Sequence, residues 1–216
     1  MLVKTRMTAT PFTVTSATKI PEALEVMTSN GVRHLPVVDE GRVTGVISKN
    51  DIAAASPSKA TTLSAQEATY LIAKLTVGKV MSRPAITIGP DTLLEEAAVL
   101  MRDEKIEILP VVADGALVGV ITESDLLDAY IDILGFRDPG TRLTIEAKDE
   151  PGVLSLLTGI TAKHQANISH LAVHRGQLDH SIVVVGLNTP NTAAIEEELT
   201  SAGMRILRKL VNPRHP

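Results

Sequence analysis

Gly45-Val46-Ile47-Ser48-Lys49-Asn50-Asp51 returns 74 residues later as Gly119-Val120-Ile121-Thr122-Glu123-Ser124-Asp125. These stretches close a longer repeat, in which residues 7–52 align with residues 81–126 without insertion or deletion. A repeat of this length is one supersecondary unit that cannot bury its apolar face alone. We therefore expect the two copies to pack together and to leave a cleft between them, where a binding site is sought first.

The composition is typical of a globular protein of one or two domains. The chain has 216 residues, of which 44% are hydrophobic and 21% are charged. No apolar run approaches the roughly 20 residues that cross a bilayer, and residues 1–6 lack the core of a signal peptide. The absence of cysteine excludes disulfides and thiolate catalysis. We expect a cytoplasmic protein without a membrane segment.

The charge and the aromatic content argue against nucleic acid as a partner. The net charge is −4, with −5 on residues 1–140 and +1 on residues 141–216. Neither part has the basic excess of a nucleic-acid-binding domain. The chain has two Phe, two Tyr and no Trp, too few for a base-stacking platform.

Each copy begins with a pattern that predicts an amphipathic helix. Four apolar residues are spaced i, i+3, i+4, i+7 in each copy. They are Ile20, Ala23, Leu24 and Met27, and then Leu94, Ala97, Ala98 and Met101. Thr18 and Thr92 are the predicted N-caps, and Thr92-Leu93-Leu94-Glu95 also fits a capping box.

Two short β-rich runs follow the helix, at residues 35–38 and 43–48 of the first copy. Asp39-Glu40-Gly41 separates them, and a Gly at the end of such a three-residue connection predicts a hairpin with a left-handed residue. A second helix is predicted to begin near Asn50, and near Ser124 in the second copy. The predicted order within each copy is strand, helix, strand, strand, helix.

The rest of the chain has its own patterns. Residues 56–59 indicate a loop, and Ser64-Ala65-Gln66-Glu67 predicts a capped helix that ends near Leu75. Residues 135–140 indicate a linker, with Gly135 as the residue that ends the preceding helix. Residues 141–216 follow the order β-α-β-β-α-β, in which the first helix has an apolar stripe of Val153, Leu156, Leu157 and Ile160. That order is typical of a ferredoxin-like split βαβ sandwich.

The repeated units resemble CBS domains, of which a tandem pair forms a Bateman module. The resemblance rests on Met7-Thr8 and Met81-Ser82, on the two Leu-Pro-Val-Val strands and on the two Gly-Val-Ile ends. Residues 141–216 resemble an ACT domain through Asp149-Glu150-Pro151-Gly152-Val153-Leu154 and Asn167-Ile168. A CBS pair followed by an ACT domain is similar to the AcuB-type family of acetoin utilisation.

These resemblances imply an α/β (α+β) fold in which a tandem CBS pair precedes a ferredoxin-like βαββαβ ACT domain. The implied boundaries are residues 1–56 for the first CBS domain, 57–76 for a linker helix, 77–134 for the second CBS domain, 135–140 for a linker and 141–216 for the ACT domain.

Asp51 and Asp125 are the main candidates for binding chemistry. A carboxylate in the first turn of the second helix can accept hydrogen bonds from the vicinal hydroxyls of a ribose. Ser48 and Thr122, three residues earlier, lie near the helix N-terminus, where a hydroxyl and the helix dipole suit a phosphate oxygen. The CBS resemblance implies these same roles. In the other interpretation, both Asp residues only cap their helices.

The two copies differ just before the Leu-Pro strands. Arg33-His34 stands in the first copy, and Glu107-Ile108 in the second. The basic pair favours a phosphate and Glu107 repels one, so we expect the two clefts to bind phosphorylated adenosine unequally. The sequence leaves open which Asp shares a cleft with Arg33. The resemblance implies that the base of the ligand contacts the strand before the first helix, near Phe12 or Ile86, and the residues before Leu-Pro, near Arg33 or Ile108.

The ACT resemblance nominates an amino-acid site of four residues, namely Asp149, Gly152, Asn167 and Ile168. Gly152 would let the backbone approach a ligand carboxylate at a helix N-terminus. The competing interpretation is a tight turn and a dimerisation sheet without a ligand, and the sequence does not decide between them.

The remaining motifs favour structure over chemistry. His170, His174 and His180 are interpreted as polar residues of a sheet face rather than as a metal site. Glu196-Glu197-Glu198 is interpreted as a solvated helix face, and the basic residues of 205–209 as the exposed side of a final strand. No nucleophile–base pair, Walker loop or Gly-x-Gly-x-x-Gly motif is present. We therefore expect no catalytic residue, no metal and no obligatory cofactor.

The function predicted from these features is regulatory. The CBS pair is expected to sense AMP, ADP, ATP or a related adenosyl ligand, while the ACT domain dimerises the protein and adds a possible amino-acid signal. The partners expected are a second copy of the chain and a metabolic enzyme, with neither nucleic acid nor a membrane. In the alternative, the chain is a non-catalytic scaffold or accessory subunit of an enzyme complex in acetoin catabolism. An enzyme in its own right is the third class, which the sequence gives little reason to expect.

Overall fold

The structure is a computed structural model that describes residues 1–55 and 65–212, without the side chains of residues 65, 66, 68 and 69. Its contacts divide the chain into two compact units, Met1–Leu127 and Asp128–Pro216. Helices and strands alternate in both, which confirms the predicted α/β class. The predicted loop at residues 56–59 and the predicted cap at Ser64 lie outside the described residues.

The first unit contains the two sequence copies and the segment between them. Its elements are β1 (Thr8–Ala9), α1 (Ile20–Ser29), β2 (His34–Asp39), β3 (Arg42–Ser48), α2 (Lys49–Ala55), α3 (Ala65–Lys74), α4 (Val77–Val80), α5 (Leu94–Glu104), β4 (Ile108–Ala113), β5 (Ala116–Thr122) and α6 (Glu123–Ile133), of which the last continues into the second unit. The predicted strand before α1 is reduced to one bridge residue, Val14, beside Val37, and Ile88 repeats this beside Val111.

The two copies exchange their first segments. Thr8 of β1 pairs with Val120 of the other copy, and the bridge between Val46 and Ser82 repeats this pairing. Each crossing is tight, because a Cβ on Gly45 would lie 2.6 Å from Met81 Sδ and 2.8 Å from the Ser82 carbonyl oxygen. The glycine that opens each Gly-Val-Ile stretch is therefore required by the methionine that opens the other copy.

Helix α1 buries Ile20, Ala23 and Met27, as predicted, but Leu24 is 41% exposed. In α5, Ala98 is likewise exposed. The predicted four-residue stripe is therefore wrong at its third member in both copies, because periodicity fixes the spacing of a stripe but not its width or the helix rotation.

The predicted N-caps are one residue too early. Lys19 and Leu93 cap α1 and α5, and their backbone N–H groups donate to the carboxylates of Glu22 and Glu96, at 3.4 and 3.0 Å. The capping box predicted with Glu95 therefore uses Glu96 instead. In a capping box, the carboxylate that accepts from the N-cap N–H lies three residues after the N-cap. Because each helix begins one residue later than predicted, both residues of the capping box are also shifted by one.

The hairpins are also tighter than predicted. Only Glu40 and Gly41 connect β2 to β3, and both have positive φ, 50° and 77°. Asp114 and Gly115 repeat this geometry, with φ of 50° and 81°. A two-residue loop with two left-handed residues has the type I′ geometry that matches the twist of the strands.

The second unit confirms the predicted order β-α-β-β-α-β. Its elements are β6 (Gly140–Lys148), α7 (Val153–Lys163), β7 (Ile168–Arg175), β8 (His180–Leu187), α8 (Ala193–Ser201) and β9 (Arg205–Asn212). The four strands form one antiparallel sheet in the order β7-β8-β6-β9. The core lies between the sheet and the two helices and includes Leu143, Leu157, Val185 and Leu199.

Two predicted surface features of this unit are wrong in detail. The predicted stripe of α7 included Leu156, which is 46% exposed. Thr161, which was not part of the predicted stripe, is buried. Two of the three glutamates of α8 are paired rather than simply solvated, and Glu197 is exposed as expected. Glu196 accepts hydrogen bonds from Thr192 and Lys209, and Glu198 accepts from Lys163.

The predicted linker at residues 135–140 is hydrogen-bonded to the strands that follow it. Gly135 has a φ of 58° and ends α6, as expected for a left-handed terminal residue. Arg142 Nη1 donates to the Leu134 carbonyl oxygen at 2.6 Å, and Asn212 Nδ2 donates to the Phe136 carbonyl oxygen at 2.8 Å. This segment is therefore held along β6 and β9.

Candidate functional site

The first unit has two clefts, each lined by residues of both copies. We call the larger one the Asp125 cleft. It has a volume of about 470 Å³, which is within the range of sites for small ligands. The residues that matter for its chemistry are Phe12, Arg33, His34, Glu107, Thr122, Glu123 and Asp125.

The second cleft, which we call the Asp51 cleft, has a volume of about 360 Å³. The residues that matter for its chemistry are His34, Ser48, Asp51, Arg83, Ile86, Lys105, Glu107 and Ile108. It is therefore the counterpart of the Asp125 cleft, with the roles of the two copies exchanged.

The predicted pairs Ser48/Asp51 and Thr122/Asp125 lie where α2 and α6 begin. Asp51 Oδ2 accepts hydrogen bonds from the Ser48 N–H at 2.8 Å and from Ser48 Oγ at 2.6 Å. Asp125 Oδ2 accepts from the Thr122 N–H at 2.8 Å and from Thr122 Oγ1 at 2.7 Å. The Asp51 N–H also donates to Ser48 Oγ at 3.0 Å, so this pair is a complete capping box, whereas, within the described residues, Thr122/Asp125 shows only the half in which the carboxylate accepts. Both pairs agree with the structural interpretation.

These caps occupy only one oxygen of each carboxylate. All the hydrogen bonds given above for Asp51 and Asp125 end on Oδ2, and within the described residues no bond to Oδ1 is recorded. An ionised carboxylate accepts about four hydrogen bonds. Both Asp residues are half-buried in the wall of a cleft, so each can cap its helix and still receive a ligand hydroxyl.

His34 and Glu107 lie at the boundary between the clefts and line both of them. His34 Nε2 is 3.4 Å from Glu107 Oε2, and the His34 side chain is 14% exposed. Burial lowers the pKa of His34 below its ordinary value, although the charge of Glu107 opposes this effect. The imidazole is therefore largely neutral near pH 7, and Glu107 contributes its negative charge to both clefts.

The structure answers the question that the sequence left open. Arg33 lies in the Asp125 cleft with Phe12, whereas Ile86 lies in the Asp51 cleft. Ile108 lines both clefts, because it follows the shared residue Glu107. The predicted site residues of the CBS pair are therefore all found on the walls of one cleft or both.

Sequence reasoning missed Arg83 and Lys105, which line the Asp51 cleft. The repeat contained the signal, since the equivalent residues of the first copy are Ala9 and Gly31. Both cations are exposed, and within the described part of the chain neither is engaged in an ion pair.

In the second unit, the four residues nominated for an amino-acid site do not share a cavity. Gly152, with a φ of 98°, precedes α7 and borders a shallow open groove with Lys163 and Glu198. Asn167 instead opens β7, where its backbone N–H donates to Asn188 Oδ1 at 2.9 Å. None of Asp149, Asn167 and Ile168 is among the residues that line this groove.

The three candidate histidines of this unit are also separated. His170 Nδ1 lies 3.3 Å from Asp138 Oδ2, but without the geometry of a hydrogen bond. His174 Nδ1 lies 3.3 Å from the carbonyl oxygen of Arg175. Over residues 1–55 and 65–212, no group of three or more His, Cys, Asp or Glu side chains is arranged to hold a metal ion. None of the helices described is both long and apolar enough to cross a bilayer.

The family model of the CBS domain matches the chain twice, at residues 3–58 and 77–132. These ranges contain both copies of the repeat and together make up more than half of the 216 residues.

Three solved structures are similar to the first unit. A protein provisionally named for acetoin utilization (AcuB) from Vibrio cholerae is 31% identical, with a TM-score of 0.53, over 64% of this chain and 96% of that one. The CBS domain pair of protein MJ0100, in complex with 5′-methylthioadenosine and S-adenosyl-L-methionine, is 30% identical, with a TM-score of 0.51, over 60% and 95%. CBSX2 in complex with AMP is 30% identical, with a TM-score of 0.52, over 61% and 97%.

Proposed function

Because this chain belongs to the CBS-domain family, we propose that it is a regulatory protein that binds adenosine nucleotides or related adenosyl ligands in the two clefts of its CBS pair. It performs no chemistry on them. AMP, ADP and ATP are the ligands that we expect first. Ligand binding regulates the protein only if two conformations bind the ligand with unequal affinity.

The observation that carries this proposal is the double use of each Asp. In both Asp51 and Asp125, Oδ2 accepts a hydrogen bond from the backbone N–H at the start of its helix, and this bond fixes the direction of the carboxylate. Oδ1 is left for the vicinal hydroxyls of a ribose, and apolar side chains such as Phe12 or Ile86 stand in the same cleft for the base. The adenosyl ligands of the two similar CBS pairs support the same ligand class.

For the second unit we propose an ACT domain that pairs with a second copy of the chain. Strand β7 is an edge of the sheet, and its Leu171 and Val173 are 42% and 47% exposed. An edge strand with apolar side chains is a surface on which another strand can add. An amino-acid ligand near Gly152 belongs to the same proposal, with the groove beside α7 as its support. Light scattering that finds only monomers at every concentration would refute the pairing.

The first experiment is native mass spectrometry of freshly purified protein, followed by calorimetric titration with AMP, ADP and ATP. Asp51→Ala and Asp125→Ala should each weaken one site about tenfold or more, because a hydrogen bond to a charged group contributes roughly 1.5–3 kcal/mol. Asp103→Ala serves as the control, because it removes an exposed carboxylate of α5 that lines neither cleft. The proposal is wrong if no adenosyl ligand binds at millimolar concentration to a protein that is folded by circular dichroism.

The second candidate is an accessory subunit that assembles an enzyme complex without sensing a ligand. The contacts of Ser48 and Thr122 favour it, since both hydroxyls donate to the carboxylate of their own helix and Ser48 also completes a capping box. The similarity to the Vibrio cholerae protein points to acetoin catabolism as the place to look for that enzyme. Capture of one defined enzyme, with an affinity that nucleotides leave unchanged, would favour this candidate.

A further inference from the structure

The two clefts differ most in the charges of their walls. In the Asp51 cleft, Arg83 and Lys105 stand against the carboxylates of Asp51 and Glu107. Cations and carboxylates are therefore equal in number. Neither cation is engaged in an ion pair within the described residues, so both remain available to an anionic ligand.

The Asp125 cleft is acidic. Arg33 is the one Lys or Arg among its lining residues, and it faces the three carboxylates of Glu107, Glu123 and Asp125. At Glu123 the sign of the charge is reversed between the two copies, because the equivalent residue of the first copy is Lys49. His34 adds no positive charge near pH 7, since burial lowers its pKa.

On the premise that both clefts bind adenosyl ligands, we propose that their charges sort the ligands. The Asp51 cleft takes an adenosine that carries a phosphate chain, which Arg83 and Lys105 contact. The Asp125 cleft takes an adenosyl ligand without phosphates, neutral or cationic, such as an adenosyl sulfonium. The sequence suggested Arg33 as the basis of phosphate binding, whereas the charges of the two cleft walls favour Arg83 and Lys105 for that role.

The size of the effect follows from charge-assisted hydrogen bonding. Phosphate oxygens bind Arg as a planar donor and Lys as a point charge, and either contact is stronger than one between neutral groups. Three carboxylates near one cation repel a phosphate chain, although exposure to water weakens the repulsion. We therefore expect affinity differences of about tenfold or more for each ligand between the two clefts.

The test uses the full chain in calorimetric titrations with ATP and with S-adenosylmethionine. The variant Arg83→Ala/Lys105→Gly introduces the residues that the first copy has at these positions. Lys105 has a φ of 57°, a region that favours glycine, so its replacement does not strain the backbone. Arg33→Ala is the matched control, because it removes a cation from the other cleft.

ATP and S-adenosylmethionine are expected to bind independently, so saturation with one leaves the stoichiometry of the other unchanged. Arg83→Ala/Lys105→Gly should weaken ATP about tenfold or more and leave S-adenosylmethionine within about twofold. The sorting is refuted if the two ligands compete for one cleft, or if Arg33→Ala is the change that weakens ATP. A protein that binds no adenosyl ligand refutes the proposed function and the sorting together, whereas binding without any charge dependence refutes only the sorting.

Discussion

The two clefts of the CBS pair share one scaffold and differ in their charged residues. In both Ser48/Asp51 and Thr122/Asp125, the later carboxylate accepts from the earlier N–H and hydroxyl, at distances that agree within 0.1 Å. In the part of the chain that the structure describes, Ser48 Oγ alone also accepts a hydrogen bond from the Asp51 N–H, at 3.0 Å. The charged residues around these caps differ, since Arg83 and Lys105 line only the Asp51 cleft and Glu123 lines only the Asp125 cleft. The backbone and the caps therefore kept their geometry after duplication, while surface positions with no role in the core diverged. Such a pair of sites can acquire two ligands without a change of fold.

The largest expected effect tests the shared scaffold. Gly45→Ala should lower the free energy of unfolding by about 1–3 kcal/mol, the usual cost of overpacking, because the new Cβ would meet Met81 and Ser82. Gly119→Ala should cost as much, since its Cβ would lie 2.7 Å from Met7 Sδ. Urea denaturation of both variants measures the effect.

Gly159→Ala is the control for these two substitutions. A Cβ at this helical position meets nothing within 4 Å, so the variant should be as stable as the parent or about 0.5–1 kcal/mol more stable. If Gly45→Ala and Gly119→Ala behaved like Gly159→Ala, the two copies would not cross as tightly as the structure indicates.

The second prediction compares the two caps. Ser48→Ala and Thr122→Ala should each destabilise the protein by about 0.5–2 kcal/mol, as the loss of an N-cap does. Ser48→Thr and Thr122→Ser exchange the hydroxyls of the two copies and should cost only a few tenths of a kcal/mol by the same measure. Thermal unfolding of the four variants separates these outcomes. A larger loss from Thr122→Ala than from Ser48→Ala would contradict the structure, in which only Ser48 Oγ also accepts from the backbone N–H of the paired Asp.

The third prediction concerns the charge that both clefts share. Glu107→Gln removes it while keeping the shape of the side chain, so the affinity of the Asp51 cleft for ATP should rise, and the affinity of the Asp125 cleft for the cation S-adenosylmethionine should fall. An exposed charge interaction is worth about 0.2–1 kcal/mol, which corresponds to a change of about 1.4- to fivefold in each affinity. Calorimetric titration with ATP at low and at high salt measures this gain, which salt should reduce. Titration with S-adenosylmethionine measures the loss in the other cleft, and a change confined to one of the two ligands would contradict the position of Glu107 between the clefts.

Much of this comparison could be predicted from the sequence. The ungapped repeat gave the two capping pairs, and the β-α-β-β-α-β order of the second unit followed from local periodicity. These features depend on residues that are close in the chain, where hydrogen bonding and hydrophobic spacing act directly. The resemblance to CBS domains supplied the ligand class, which the residues alone leave open.

The grouping of residues across the clefts could not be predicted in this way. Arg33 shares a cleft with Asp125 because β1 crosses to the other copy, a consequence of tertiary packing that no local pattern encodes. Lys105 differs from Gly31 in the repeat, but the difference gains meaning only when Lys105 is known to line a cleft. Leu24 is a smaller example, since the rotation of α1 depends on its neighbours in space.

The smallest expected effect is a pH dependence at the boundary between the clefts. The pKa of His34 is lowered first by burial and also by Arg33, while Glu107, Asp51 and Glu123 oppose the shift. The unfolded chain therefore takes up the proton at a higher pH than the folded protein does. The stability contributed by the neutral ring is fully present above the unfolded pKa of about 6.5 and declines as the pH falls through the folded value.

His34→Gln should flatten this part of the stability profile, measured by urea denaturation between pH 7.5 and 5 at roughly half-unit steps. Glu107→Gln should steepen the decline, because it removes the charge that favours the protonated ring. An unchanged profile in both variants would show that neither the protonation of His34 nor the charge of Glu107 affects the stability of the protein in this pH range.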